Sequence, residues 1–225
     1  FNEAIHGLKA RKDLKVGIHL NLTYGKSLSG SFMLGNQYGF FNLSYLQILY
    51  KSIVSKSFLA EVEDEFELQI QKVIHNKIDI SHLDSHRHVH LIPSLYKIVY
   101  RLSLKYSIDR VRLVNENIFH SLNLTKKLDF FSNGGLLKYL LLRFFTCINK
   151  IHGDKYKSIS FYSILYTGII ESSSLLKLIK SDTVYEIVVH PSYVNFDKNI
   201  TFYNDAEKAY RLSSNRSLEL LGILK

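Results

Sequence analysis

Ten histidines occur among 225 residues, and their placement is uneven. Four stand in the run Ser81-His82-Leu83-Asp84-Ser85-His86-Arg87-His88-Val89-His90, and Asp84 shares their alternation. Alternate residues of an extended chain lie on one face. The segment is therefore expected to aim four imidazoles and a carboxylate in one direction. Neutral imidazole suits zinc and other borderline divalent ions, while carboxylate and water widen the choice to magnesium or manganese. The competing reading is a solvated histidine-rich loop. The regularity of the alternation, with an acid inside it, speaks against that.

Two further histidines end apolar runs. In Val16-Gly17-Ile18-His19-Leu20-Asn21-Leu22-Thr23, the residues Ile18, Leu20 and Leu22 alternate with Gly17, His19 and Asn21. One face is apolar, and the other presents His19 and Asn21. A lone histidine in such a place would more often be a satisfied core residue, but the cluster at 82–90 shifts the reading toward a shared metal site. In Glu186-Ile187-Val188-Val189-His190-Pro191 the apolar run again ends in histidine, and Pro191 stops the strand. Strand ends on one rim of a parallel sheet converge in space. Arg112 lies in Arg110-Val111-Arg112-Leu113-Val114, opposite the apolar Val111 and Leu113. It is a candidate for binding an anion such as an acetate-like product, with a surface salt bridge as the alternative.

Other chemistries fit the sequence poorly. The sequence holds no Gly-x-Gly-x-x-Gly, no Walker loop and no Gly-x-Ser-x-Gly. The single cysteine, Cys147, rules out an internal disulfide and a thiolate zinc cage. It falls in an apolar helix, where a buried, inert thiol is expected.

The elements that must position these residues alternate. Short apolar runs at 15–22, 78–83, 110–114, 158–165 and 185–189 read as strands. Between them, 62–74 carries Val62, Phe66, Ile70, Val73 and Ile74 on one helical stripe. The segment 93–106 opens with Pro93 at a first helical position and continues with Leu95, Ile98, Val99 and Leu102. Further helices are expected over 136–148, 172–179 and 205–224. The Gly-rich stretch 25–39 reads as a long loop. Strands alternating with helices predict an α/β fold with mostly parallel strands.

With 46% hydrophobic and 22% charged residues, the chain is too apolar for disorder and long enough to bury a core. The formal charge is +9, from 29 Lys+Arg against 20 Asp+Glu. That balance invites a nucleic-acid reading. The basic residues are scattered, however, and carry no zinc-finger spacing, heptad-linked basic region or RNP-type motif, so a solvated basic surface is expected instead. The apolar run 136–148 is broken by Lys138 and Arg143 and falls short of the roughly 20 residues a membrane helix needs. No secretory signal marks residues 1–15, and a cytoplasmic location is the expectation. The chain starts at Phe1 and its only methionine is Met33, which reads as a fragment or a processed chain.

At the three histidine motifs the sequence resembles the YdjC-like family of carbohydrate deacetylases. The matching pieces are Gly17-Ile18-His19-Leu20-Asn21-Leu22-Thr23, His82 to His90, and Val189-His190-Pro191. Weaker likenesses are Arg110 to Leu113, Tyr166-Thr167-Gly168 and Arg216 to Leu220. Family members usually carry glycine after His-Pro, where this chain has Ser192. The resemblance implies one YdjC-like domain over 1–225, a distorted (β/α) barrel related to the polysaccharide deacetylases. It implies a divalent metal, Mg2+ or Zn2+, held by His19 and His86. A third ligand, an aspartate, sits in the family's Asp-Asp-x-Gly motif on its first strand. That motif precedes this sequence, so the first strands of the barrel are expected to be missing.

The implied activity is removal of N-acetyl groups from an amino sugar or oligosaccharide, with an N-acetylated sugar as partner. His190 is the candidate acid for the leaving amine. Asp84 is the candidate group that orients a histidine ligand or tunes its pKa. Asn21, His88, His90 and Arg112 are candidate substrate contacts, with packing under the loop as the alternative for His88 and His90. A homodimer is one assembly the sequence allows; nucleic acid is not an expected partner. Competing readings are a catalytically dead remnant, a basic nucleic-acid-binding protein, and a metal-dependent hydrolase of another bond such as a phosphoester.

Overall fold

The computed structural model describes residues 1–9, 11, 13–124, 134–152, 159–165, 177, 184–191 and 214–223. They fall into two compact units, Phe1–Leu113 with Phe145–Tyr156, and Val114–Phe144 with Lys157–Lys225.

In the first unit, helix α1 (Asn2–Lys9) leads to strand β1 (Val16–Leu20). The long loop that follows closes with two antiparallel bridges, Lys26 with Phe40 and Gly35 with Phe41. Helices α2 (Tyr45–Val54) and α3 (Lys56–Ile74) then return the chain to strand β2 (Ile80–Ser85). Helix α4 (Pro93–Lys105) connects β2 to the short strand β3 (Arg110–Val111). The three strands form one parallel sheet in the order β1-β2-β3. Parallel neighbours need a long crossover, and the helices supply it.

The core of this unit lies between sheet and helices. Phe58, Val62, Phe66 and Ile70 of α3 are wholly buried, as are Leu20 and Leu83 of the sheet. The buried stripe of α3 starts four residues earlier than the sequence suggested and ends at Ile70, because Ser55 caps the helix by accepting from Phe58 N at 3.1 Å. Helix α4 follows its prediction, with Leu95, Ile98, Val99 and Leu102 buried. Helix α2 was not foreseen. Its signal is a capping box between Ser44 and Gln47. Its apolar residues Leu46, Tyr50, Ile53 and Val54 are exposed, which blurs the amphipathic pattern.

In the second unit, helix α5 (Ile118–Leu124) follows a parallel bridge between Glu116 and Phe161. Strands β4 (Ser160–Tyr162) and β5 (Tyr185–Ile187) pair in parallel, with Phe161 opposite Glu186. The buried Glu116 carboxylate accepts from Ser121 Oγ at 2.7 Å and from the amides of Ser163 and Ile164 at 3.2 and 2.8 Å. It thereby fixes the exit of β4. Helix α7 (Ser214–Ile223) lies within the expected 205–224.

Helix α6 (Gly135–Asn149) matches the third predicted helix. Its Cys147 is exposed, which corrects the expectation of a buried thiol: it lies on the outward face of the helix with the exposed Leu140 and Phe144. Apart from Lys177, the expected helix at 172–179 lies outside the described residues, as do the Tyr166-Thr167-Gly168 and Ser192 positions. Among the described residues no helix is long and apolar enough to cross a membrane.

Candidate active site

The alternation read in β1 is present. Ile18 and Leu20 are buried while His19 is exposed. Gly17 sits opposite His82 in the β1–β2 register. A Cβ at Gly17 would stand 2.3 Å from His82 Nε2, so the imidazole lies directly on the glycine backbone. His82 Nδ1 is 2.9 Å from Ser81 Oγ, whose own proton goes to Val16 O at 2.9 Å. Ser81 thus ties β2 to β1, and its hydroxyl holds the His82 ring.

His19 is paired with Asp84 in the same register. Its Nδ1 donates to Asp84 Oδ1 at 2.8 Å. The other carboxylate oxygen accepts from the Arg112 guanidinium, which enters from just beyond β3. Both the Asp84 and Arg112 side chains are largely buried, at 7% and 13% exposure. Burial alone would push the Asp84 carboxyl up. The hydrogen bond from His19 and the positive Arg112 outweigh it and hold the group well below the usual carboxylate range. Asp84 is therefore ionised, with one oxygen on the His19 ring and the other on Arg112. The Arg112 guanidinium is thus paired with Asp84.

His86 follows β2 as the first residue of a 3-10 turn (His86–Leu91). Its Nδ1 is 2.5 Å from Thr23 Oγ1. The His19 and His86 ring centroids are 6.0 Å apart and edge-on, with the Tyr24 ring 6.5 Å from His86. Asn21, expected as a substrate contact, is committed to its own loop. Its Oδ1 accepts from the amides of Thr23 and Tyr24 at 3.0 and 3.2 Å, and its Nδ2 donates to Tyr24 O.

The alternation predicted through His90 stops at Ser85. Arg87 and His88 have φ of 55° and 56°, two successive non-glycine residues in the left-handed region. Such geometry persists only where the surroundings impose it, and it clusters at functional sites. The turn leaves His88 half-buried and drives His90 inward. His90 is wholly buried. Its Nε2 donates to Arg112 O at 3.0 Å, so Nδ1 is the acceptor for Ser85 Oγ at 2.7 Å. Burial lowers its pKa to about 4, and it is neutral. His90 pins the ends of β2 and β3 together and does not line a sugar site.

In the second unit, the backbone around His190 is held from helix α7. Its amide donates to the buried Glu219 carboxylate at 2.6 Å, and Arg216 Nε donates to its carbonyl at 3.0 Å. Glu219 falls in the Arg216 to Leu220 likeness, whereas Glu65 and Gln69 carried no recognisable sequence signal, because each acts through a contact far away along the chain.

A divalent ion is the group the family resemblance implies, and the chemistry of the donor set bears on it. An ionised carboxylate on His19 Nδ1 leaves Nε2 as the basic atom of that ring, and a hydroxyl at His86 Nδ1 does the same when it accepts. Histidine ligands of metals are held in this way. The two rings fit as two ligands. Among the described residues no group of three or more His, Cys, Asp or Glu side chains is placed to hold an ion.

The parallel α/β fold carries an imidazole–carboxylate site at the ends of two neighbouring strands. The family model described as YdjC-like protein matches residues 1–222, and the chain belongs to that family. It is 34% identical over 108 residues to a carbohydrate deacetylase of Halalkalibacterium halodurans, covering 48% of this chain and 45% of that one. It is 27% identical over 144 residues to a carbohydrate deacetylase of Clostridium beijerinckii, covering 62% and 56%. The chain thus spans about half the length of the curated relatives it matches. Among solved structures it is similar to a putative cellobiose-phosphate cleavage protein of Enterococcus faecalis, with a TM-score of 0.57 and 19% identity over 98% of this chain and 78% of that one. That likeness concerns the fold.

Proposed function

We propose that the protein is a divalent-metal-dependent carbohydrate deacetylase that removes the N-acetyl group from an amino sugar or oligosaccharide. The distorted barrel implied by the resemblance is part of the same reading. The observation that carries it is the His19–Asp84–Arg112 relay beside His86: one imidazole is held in a single tautomer by a buried ionised carboxylate. Membership of a family whose curated relatives bear the name carbohydrate deacetylase supports it.

In this reading His19 and His86 would hold the ion through Nε2, and a divalent ion there would supply Lewis-acid chemistry toward water and the acetamide carbonyl. Asp84 keeps His19 oriented and compensates part of the positive charge. His88, half-buried at the strained turn, contacts the sugar. His190 donates a proton to the departing amine as the C–N bond breaks, giving acetate and the free amino sugar.

The test is replacement of His19 or His86 by alanine. Loss of Zn2+ binding in calorimetry and of acetate release from chito-oligosaccharides is the expected result. Survival of both would sink the assignment. Release of phosphate from a sugar phosphate, without acetate release, would favour a phosphoester hydrolase instead. For His190→Ala, unchanged turnover at normal metal content would remove the acid role.

A further inference from the structure

An unbroken hydrogen-bond chain runs from the middle of helix α3 to His86. Glu65 is wholly buried. Its carboxylate accepts from the amides of Leu28 and Ser29 at 3.0 and 2.8 Å and from Gln69 Nε2 at 2.7 Å. Gln69, one turn further along α3, binds the backbone of Asn21 twice. It accepts from Asn21 N at 2.9 Å and donates to Asn21 O at 2.8 Å. Asn21 Oδ1 in turn gathers the amides of Thr23 and Tyr24. This sets the position of Thr23, whose Oγ1 meets His86 Nδ1.

The imidazole tautomer decides which partner donates in the last link. Thr23 has one hydroxyl proton. Asn21 Oδ1, which can only accept, lies 3.5 Å from Thr23 Oγ1. With the proton turned that way, the Thr23 oxygen accepts from His86 Nδ1–H, and the His86 lone pair is on Nε2. Two of the links join residues far apart in sequence: 48 positions separate Asn21 from Gln69, and 63 separate Thr23 from His86.

We infer that Gln69, held by Glu65, is a positioning residue for His86. It acts through the Asn21 turn and the Thr23 hydroxyl to keep the ring in the tautomer that binds an ion through Nε2. The inference rests on the proposal that His86 is a metal ligand. It adds a remote control that no motif of the chain announces.

The test is a double-mutant cycle read by Zn2+ calorimetry on the protein, with Zn2+ alone as the probe. Gln69→Met and Thr23→Val each remove their hydrogen bonds at near-constant volume. Each is expected to weaken Zn2+ binding about tenfold, the scale seen when a partner behind a metal ligand is lost. Because both act along one route, the double variant is expected to lose no more than either single one. Thr23→Ser, which keeps the hydroxyl, is expected to stay near the parent affinity. Long-range 1H–15N NMR of the metal-free protein is expected to show His86 as the Nδ1–H form, shifting toward Nε2–H in Thr23→Val.

Parent-like affinity in Gln69→Met, or losses that multiply to about a hundredfold in the double variant, would overturn the inference. Should Gln69→Met fail to fold, Thr23→Val with Thr23→Ser and the His86 tautomer decide: an unchanged tautomer overturns it. Zn2+ binding that survives His86→Ala would instead refute the metal-ligand reading itself, so the two failures are separable.

Discussion

His19 and Asp84 stand directly opposite each other on neighbouring parallel strands, and their side chains meet at 2.8 Å. In a sheet, opposite residues project to the same face, so the register alone delivers the carboxylate to the imidazole. Arg112 then closes the other side of Asp84. The charge of the carboxylate is therefore built in before any ligand arrives.

Asp84→Asn should separate this role from simple packing. The amide keeps the shape but leaves the Arg112 guanidinium without its counter-charge in a largely buried place. A destabilisation of about 3 kcal/mol is expected, together with a 10- to 100-fold loss of Zn2+ affinity. Urea denaturation and calorimetry measure the two effects. A variant that loses stability but binds Zn2+ like the parent would show that Asp84 does not orient His19.

The pH dependence of stability should show two windows. His90 has a folded pKa near 4 against an ordinary 6.5. The unfolded chain therefore takes up the proton first. Its contribution is complete above pH 6.5 and falls by up to about 1.4 kcal/mol per pH unit as pH drops toward 4. Asp84, with a lowered pKa, contributes above the ordinary carboxylate value and loses that contribution only at more acid pH. Urea midpoints at pH 7, 5.5 and 4.5 should thus decline in the parent and flatten in His90→Gln. A parallel decline in both would assign the first window elsewhere.

Gly17→Ala places a methyl group inside the His82 ring, at 2.3 to 2.6 Å from three of its atoms. A cost of about 1–3 kcal/mol follows from overpacking. Adding His82→Ala should recover most of it. Absence of that recovery in thermal melts would mean that backbone strain, not the imidazole, forbids the side chain.

Glu65→Gln exchanges one acceptor oxygen for an amide group facing backbone donors. The expected loss is about 2 kcal/mol, with faster hydrogen exchange at the Leu28 and Ser29 amides, which Glu65 holds. Unchanged protection at those two amides would exclude Glu65 as the anchor of the loop.

The periodic features were legible along the chain. Ile18 and Leu20 turn inward around His19, and Pro93 opens α4 over an apolar stripe, because both patterns repeat at the spacing of their own element. His86 could be placed at the end of a strand for the same reason. The reading failed where the backbone changed its period. Two left-handed residues, Arg87 and His88, end the alternation, so His90 is buried and neutral. Nothing in their side-chain types announces a positive φ.

Reading residues in order therefore identified the imidazoles at 19 and 86, the carboxylate at 84 and the strands that carry them. It could not assign their partners. Whether Arg112 meets a substrate or Asp84, whether Asn21 faces out or caps its own turn, and that Gln69 reaches Asn21 from α3, depend on hydrogen bonds between groups dozens of residues apart. Local periodicity reports which way a side chain points from its own element. What stands in front of it is settled by strand register and helix packing, where each buried donor must find an acceptor.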